Sequence, residues 1–342
     1  LARKVTDSIS VLVILNMAIP KFINFGEVFP LCWRNNMTKS RNDIDFSQVE
    51  SDTKIKGCLL KHLGENTAAL ALITSYIPAK ISPTKVARAQ IGLIEELGME
   101  DAIAEIKEND IDRLYLLINT FGGGVSSSFK IARALRENFS DITVFIPHIA
   151  ASGGTLIALT GNKIVMGDMS SISPIDVQIQ RSGNTFSVNA MMRSFHTLNE
   201  MFKDVSENDA PYPWKAMADK LDPVEFQEWV DTSRLMERHA AEILQHPKSS
   251  LKSKTKTIVG ALSRNYPTHQ YTITYEEAKP ILGDDVCFKN SCKEYGEIWK
   301  TMKLWLRQYI MQESGTHIIR YLTPEKLIQD ENTNIKGDSE DV

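Results

Sequence analysis

The alternation of apolar and polar positions predicts an α/β protein whose ordered core begins near residue 66. Continuous apolar runs indicate buried strands, and apolar residues at spacings of three and four indicate helices. A strand, an amphipathic helix and a second strand in succession predict a right-handed crossover with parallel pairing. The predicted strands lie at 68–78, 113–119, 142–147 and 163–168, and the predicted helices lie within 84–110 (broken at Gly98) and at 125–139, 155–160, 189–206, 223–246 and 294–312.

These patterns divide the chain into three segments. Residues 1–65 show no clear period and form an N-terminal segment of uncertain structure, residues 66–290 form the main domain, and residues 291–342 form a C-terminal helix and an acidic tail. The tail, 330–342, is polar and charged and is expected to be disordered. The lysine-rich stretch 246–257 is interpreted as a solvated loop rather than an anion site.

Composition excludes some functions and leaves others open. The chain has 342 residues, 42% hydrophobic, and a net charge of -4, which offers no basic field for nucleic acid. Its cysteines stand at no metal-ligand spacing and are interpreted as reduced thiols of a cytoplasmic protein. No metal, cofactor or ATPase motif is indicated. The apolar run 9–19 is too short to span a membrane and favours a buried or interfacial helix, so membrane association stays open.

A first glycine-rich turn follows the strand at 113–119. It reads INTFGGGVSSS from Ile118 to Ser128, and adjacent glycines leave backbone N–H groups uncovered beside a helix N-terminus, where an anion can bind. The stretch lacks the Gly-Lys-Ser/Thr of a P-loop and the third glycine of a dinucleotide loop. Nucleotide binding is therefore not favoured.

A second turn, PHIAASGGTLIALTG at 147–161, places Ser152 where strand changes to helix. One interpretation is that Ser152 only caps the helix at 155–160. The other is that Ser152 is a nucleophile, with the N–H of Gly153 available to an oxyanion. Because parallel strands end at one edge of a sheet, the two turns together could form an oxyanion hole with two donors.

These segments resemble known families. INTFGGG is similar to the INSPGG segment of Clp proteases and signal-peptide peptidases, and the stretch around Ser152, with SPIDV at 173–177, most resembles the serine dehydrogenase proteinase family. The resemblance covers about residues 66–290, and Phe121 stands where these families usually have proline. It implies a Clp/crotonase-like spiral of ββα units, here with a helical C-terminal extension, and a homo-oligomer. It also implies Ser152 as nucleophile, with the N–H groups of Gly123 and Gly153, rather than Gly122, as oxyanion donors.

A serine needs a base, and the sequence leaves its identity open. Clp proteases have a histidine about two dozen residues past the serine, where this chain has SISPIDVQI, so a triad with that spacing is not expected. Signal-peptide peptidases use a lysine about fifty residues downstream. The candidates for the base are Lys203, Lys215, His269 and His148, and Asp176 is a candidate for orienting it.

The sequence thus favours an ATP-independent serine endopeptidase that acts on a peptide or protein through an acyl-enzyme on Ser152. Two alternatives remain. The first is a catalytically inactive Clp-fold scaffold or peptide-binding protein, and the second is a crotonase-like acyl-CoA enzyme that uses the same anion hole.

Overall fold

The computed structural model describes residues 59, 61–64, 66–74, 80–82, 85–86, 90–181, 184–206, 208–209, 222–311 and 318–322, all within the compact unit 49–342. The apolar run 9–19, Lys215 and the acidic tail lie outside the described residues. The predicted segment boundaries at 65 and 290 stay predictions.

The described elements alternate between strand and helix along most of the chain. The strands are β1 (Thr67–Ile73), β2 (Lys80–Ser82), β3 (Lys85–Val86), β4 (Arg113–Asn119), β5 (Asp141–Ile146), β6 (Ile149–Ala150), β7 (Lys163–Met166), β8 (Ser171–Ile172), β9 (Gln178–Arg181), β10 (Asn184–Ser187), β11 (Cys287–Lys289) and β12 (Ile318–Leu322). The helices are α1 (Leu93–Glu108), α2 (Val125–Asn138), α3 (Gly153–Ala158), α4 (Val188–Phe202), α5 (Pro223–Gln245), α6 (Thr255–Arg264), α7 (Tyr275–Leu282) and α8 (Gly296–Met311).

A six-stranded sheet with the order β11-β7-β5-β4-β1-β12 forms the centre of the fold. Every pair in it is parallel except β1 with β12, which is antiparallel. The predicted parallel crossover from β4 through α2 to β5 is therefore confirmed. Because β4 and β5 run side by side in one direction, both glycine-rich turns open at the same edge of the sheet.

Both faces of this sheet are buried, as a parallel sheet requires. Alternate residues of β1 point to opposite faces: Leu70 and Leu72 join the larger core, whereas Ala71 and Ile73 join a second core. Helix α8 covers the second face with Trp299, Met302 and Trp305 among its buried residues. The sheet is thus held rigidly between helices, which fixes the positions of the strand ends.

Short strand pairs form a narrow second layer at the edge of the sheet where the two glycine-rich turns open. Strand β6 pairs in parallel with β8, and single bridges join Thr120 to Ala150 and Ile172 to Ile273. Strands β5 and β7 are each followed by a short strand, and β4 is followed by the bridging residue Thr120, so that β5, β6 and α3 form a complete ββα unit. This arrangement confirms the predicted spiral of ββα units.

Several details differ from the sequence-based expectations, and the main ones concern α1, α3, the stretch 246–257 and β12. The predicted break at Gly98 was wrong, because α1 continues through it with Met99 and Ala102 on its buried side. Helix α3 begins at Gly153 rather than residue 155, and the short strand β6 lies between β5 and this helix. The stretch 246–257 contains a 3-10 helix, Lys252–Lys254, and the start of α6 rather than only loop. Strand β12 was not predicted.

Candidate active site

Ser152 occupies a strained turn between β6 and α3. Its backbone has φ 52° and ψ -117°, in the positive-φ region that residues with a side chain seldom adopt. Its side chain accepts no capping hydrogen bond from α3. A helix cap would have extended backbone and would accept such a bond, so the capping interpretation does not fit. The geometry is that of a nucleophile elbow, which projects the hydroxyl off the end of a strand.

The glycines after Ser152 allow α3 to pack closely on its neighbours. A Cβ added to Gly153 would lie 2.0 Å from Ser128 Oγ of α2, and one added to Gly154 would lie 2.4 Å from Thr120 Cγ2. A side chain at either position would displace Ser128 or Thr120, so glycine is favoured at both positions. The close approach brings the N-terminus of α3 against the first turn.

In the first turn, only the N–H of Gly123 remains available to a substrate among the three glycines. Gly122 donates its N–H to Thr120 Oγ1 at 3.0 Å, and Gly124 donates to the carbonyl of Ile91 at 2.9 Å. Within the described residues, no acceptor is found for the N–H of Gly123 or of Gly153. A Cβ on Gly153 would lie 3.5 Å from Gly123 N, so the two uncommitted donors are close neighbours.

His269 and Asp176 form a hydrogen-bonded pair. His269 Nδ1 lies 2.7 Å from Asp176 Oδ1, and both side chains are largely buried, with 14% and 5% exposed. The second oxygen of Asp176 accepts a hydrogen bond from the hydroxyl of Ser187. The carboxylate is thus fixed at both oxygens. A proton on Nδ1 directed at the carboxylate leaves Nε2 as the unprotonated nitrogen.

One antiparallel bridge joins the two distant segments that carry the pair. Ile172 and Ile273 exchange backbone hydrogen bonds of 3.0 and 2.9 Å. Asp176 lies four residues after this bridge on one segment, and His269 lies four residues before it on the other, in a turn. The bridge thus helps to hold the two segments together, although 93 residues separate Asp176 from His269 along the chain.

The segment that carries Asp176 also contacts the elbow directly. The N–H of Ser152 donates to Ser173 Oγ at 2.7 Å, and the hydroxyl of Thr155, in α3, donates to the carbonyls of Ala150 and Ser173 at 2.7 and 2.9 Å. Ser173 and Thr155 are buried. These bonds hold the turn at 173–177 against the backbone of Ser152. Ser173, which makes two of them, lies three residues before Asp176. Sequence reasoning did not identify Ser173 or Ser187, since a lone serine in a turn gives no distinctive pattern.

The loop that carries His269 is anchored by aromatic and polar contacts. The rings of Tyr266 and Tyr271 pack with centroids 4.6 Å apart, and Arg193 of α4 donates to the carbonyl of Pro267 at 2.7 Å. The hydroxyl of Tyr271 donates to Glu277 at 2.9 Å, and this bond raises the pKa of Tyr271. These contacts hold the loop, and His269 with it, against α4 and α7.

The other candidates for the base lie in different surroundings. Lys203 follows the last turn of α4, is half exposed, and pairs with Glu200 at 3.2 Å. A half-exposed side chain paired with a surface carboxylate does not lie in the buried, convergent setting of a catalytic base. His148 is exposed just after β5, and its carbonyl accepts the N–H of Ser171.

The fold and the site together define a class: a ClpP-like α/β spiral with a serine at a strained elbow beside two backbone donors. Residues 99–201 match the family model described as ClpP-like SDH-type serine proteinase. That segment contains Ser152, Gly123 and Gly153, and the match confirms the family resemblance inferred from the sequence.

Two relatives from Methanocaldococcus jannaschii, both described as uncharacterized proteins, are also similar. One is 32% identical over 220 residues, which are 63% of this chain and 65% of the relative, and the other is 28% identical over 166 residues, which are 48% and 49%. The chain thus covers less than two thirds of the length of either.

Among solved structures, the chain is similar to two mutants of the 1510-N membrane-bound stomatin-specific protease. The serine-to-alanine mutant has a TM-score of 0.40 at 14% identity, with 62% of this chain and 79% of that chain covered. The lysine-to-alanine mutant, in complex with a substrate peptide, has a TM-score of 0.38 at 16% identity, with 62% and 75% covered. Within the described residues, no helix is long and apolar enough to cross a membrane.

Proposed function

We propose that this protein is a serine peptidase that hydrolyses peptide bonds through an acyl-enzyme on Ser152, with His269 as the base and Asp176 as its orienting carboxylate. The observation that carries the proposal is the buried Asp176–His269 pair, because Asp176 lies on the turn that is hydrogen-bonded to the elbow of Ser152 through Ser173. A neutral imidazole held by a carboxylate is the usual activator of a serine hydroxyl.

In the acylation step, His269 Nε2 accepts the hydroxyl proton as Ser152 Oγ attacks the carbonyl carbon of the peptide. The carbonyl electrons move to oxygen, and the N–H groups of Gly123 and Gly153 stabilise the resulting oxyanion. When the intermediate collapses, the C–N bond breaks, and the imidazolium gives its proton to the leaving amine. Asp176 holds the ring in place and stabilises its charge.

Deacylation repeats these steps with water as the nucleophile. His269 accepts a proton from water, the hydroxide attacks the ester, and the proton returns to Ser152 Oγ as the acid departs. The cycle as proposed uses only residues of this chain and water.

The proposed substrate is a peptide or protein, the cleavage is endoproteolytic, and no ATP is used by this chain. A homo-oligomer is proposed as well. It is supported by α4, an amphipathic helix in which Val188 alone among the described residues is buried, so its apolar side is incompletely covered in a single chain. Light scattering on the purified protein tests this point, and a monomeric mass at micromolar concentration would contradict it.

Labelling with a fluorophosphonate probe tests the assignment of the nucleophile. We expect labelling of the wild type and loss of labelling in Ser152→Ala. Ser126→Ala is the matched control, because Ser126 lies exposed in the first turn of α2 and has no role in the mechanism. Equal labelling of wild type and Ser152→Ala would refute the proposal. A folded wild type that neither reacts with the probe nor cleaves a fluorogenic peptide would favour the inactive scaffold.

A further inference from the structure

Two buried threonine hydroxyls lie behind the first glycine turn. Thr74 follows β1, Thr120 follows β4, and the side chains are almost completely buried. The hydroxyl of Thr74 donates to Thr120 Oγ1 at 2.8 Å, and the N–H of Gly122 donates to the same oxygen at 3.0 Å. The threonines thus connect the ends of two adjacent parallel strands to the glycine turn.

The hydrogen bonds around Gly122 fix both peptide planes that flank it. Its N–H is held by Thr120 Oγ1, and its carbonyl accepts the N–H of Ile91 at 2.9 Å. Gly122 has φ 92°, a conformation that glycine adopts easily but can also leave easily. The N–H of Gly123 belongs to the same peptide plane as the carbonyl of Gly122. The bond from the N–H of Ile91 therefore sets the direction of the Gly123 donor, and the bond to Thr120 Oγ1 holds the adjacent peptide plane, about which Gly122 could otherwise turn.

Phe121, the residue before Gly122, makes the conformation of the turn more dependent on the hydrogen bond to the hydroxyl of Thr120. Phe121 is 47% exposed, and unlike proline it does not fix its own φ. The backbone at 121–122 is consequently held by hydrogen bonding from inside the fold rather than by a ring in the chain. An oxyanion hole is effective only when its donors are fixed before the charge develops.

We propose that Thr120 is a positioning residue for the oxyanion donor Gly123, and that Thr74 orients the hydroxyl of Thr120. The inference rests on the proposed function. Thr120 acts through the turn and does not contact the reacting atoms. Loss of its hydroxyl frees the peptide between Phe121 and Gly122 and misdirects the Gly123 donor.

Replacement of Thr120 by valine tests this, because valine keeps the shape of the side chain and removes the acceptor. We expect Thr120→Val to lower kcat by about 10- to 100-fold, less than or comparable to the loss of one oxyanion donor, with KM little changed. Thr120→Ser, which keeps the hydroxyl, should retain most of the activity, and Thr74→Val should fall between the two. Thr255→Val is the matched control, since it also loses a buried hydroxyl bond, to the carbonyl of Lys252, but far from the turn in sequence.

A peptide aldehyde separates a positioning role from a merely structural one. The aldehyde forms a tetrahedral adduct whose oxygen uses the hole, so its affinity should fall in parallel with kcat in Thr120→Val. The affinity of the corresponding peptide alcohol, which forms no adduct, should stay within about twofold of wild type, since it makes only ground-state contacts.

Three outcomes would overturn the inference. A folded Thr120→Val with wild-type kcat and aldehyde affinity would overturn the role of Thr120 and leave the proposed function standing. An equal loss of affinity for aldehyde and alcohol in this variant would do the same. A wild type that the fluorophosphonate probe does not label overturns the proposed function together with the inference. If Thr120→Val does not fold, Thr74→Val decides by the same comparison of kcat, KM and aldehyde affinity.

Discussion

Replacement of Asp176 by asparagine is the most direct test of the catalytic pair. In the native protein, Asp176 Oδ1 bonds to His269 Nδ1, and the other oxygen accepts from the hydroxyl of Ser187. Asparagine has one oxygen and one NH₂ group. If the NH₂ faces His269, then Nδ1 must accept and Nε2 carries the proton, so Nε2 cannot act as the base. If the amide oxygen faces His269, the imidazolium loses its counter-charge.

The size of the effect follows from the role of the pair. We expect kcat to fall by about 10² to 10⁴-fold, the range for loss of general base catalysis and of the orienting carboxylate. That range corresponds to about 2.7 to 5.4 kcal/mol of transition-state stabilisation. Hydrolysis of a fluorogenic peptide gives kcat, and the assay temperature should lie well below the unfolding midpoint, since Asp176 is buried and its replacement also costs stability.

Asp168→Asn is the matched control. The side chain of Asp168 is 77% exposed and forms a surface pair with Lys289 at 2.8 Å, so the same chemical change there should leave kcat unaltered. The assignment of His269 and Asp176 would be refuted if folded Asp176→Asn kept kcat within about threefold of wild type, far less than loss of a general base costs.

The remaining predictions concern the base, the close packing of the elbow and a buried thiol. Lys203→Gln should keep wild-type peptidase activity, because the ammonium is solvated and paired with Glu200; a loss of more than tenfold in a folded variant would favour a lysine base. Gly153→Ala should lose fluorophosphonate labelling, because its Cβ would clash with Ser128 Oγ, and Ser128→Gly in the same chain should restore part of it; no effect of the single substitution would contradict the packing. Burial raises the pKa of Cys287 to about 12 from an ordinary value near 9, so the folded chain keeps a proton that the unfolded chain loses, and stability should fall as pH rises through that window. In urea unfolding, Cys287→Ala should show a shallower fall than wild type, and parallel curves for the two proteins would contradict the assignment.

Sequence patterns predicted the elements that carry a long, regular period. The strand 113–119 and the helix 125–139 agree with β4 and α2 to within a residue, because burial on one or both faces dictates their residue types. Two-residue strands such as β6 and β8 carry no period, so the second layer was outside the reach of such patterns. Strand β12 pairs antiparallel with β1 at the edge of the sheet, a partnership that no local pattern encodes.

Sequence patterns likewise predicted some residues of the candidate site and left others open. Ser152, Gly123 and Gly153 were predicted because each lies in a glycine-rich turn that is recognisable as a short continuous stretch of sequence. The base could not be singled out, since Asp176 and His269 lie 93 residues apart in the sequence and no local pattern encodes their contact. Spacing relative to other families directed attention to Lys203, whereas the structure brings a histidine to the aspartate.

The long separation between Asp176 and its histidine has a consequence for synthesis of the chain. A nascent chain that ends before residue 269 already contains the serine, both backbone donors and the carboxylate, but not the group that would take the proton. In the proposed mechanism such a chain is chemically silent. The bridge between Ile172 and Ile273 forms only after nearly the whole domain has left the ribosome. In that mechanism, activity is coupled to completion of the fold, and a partly synthesised chain would cut neither its neighbours nor itself.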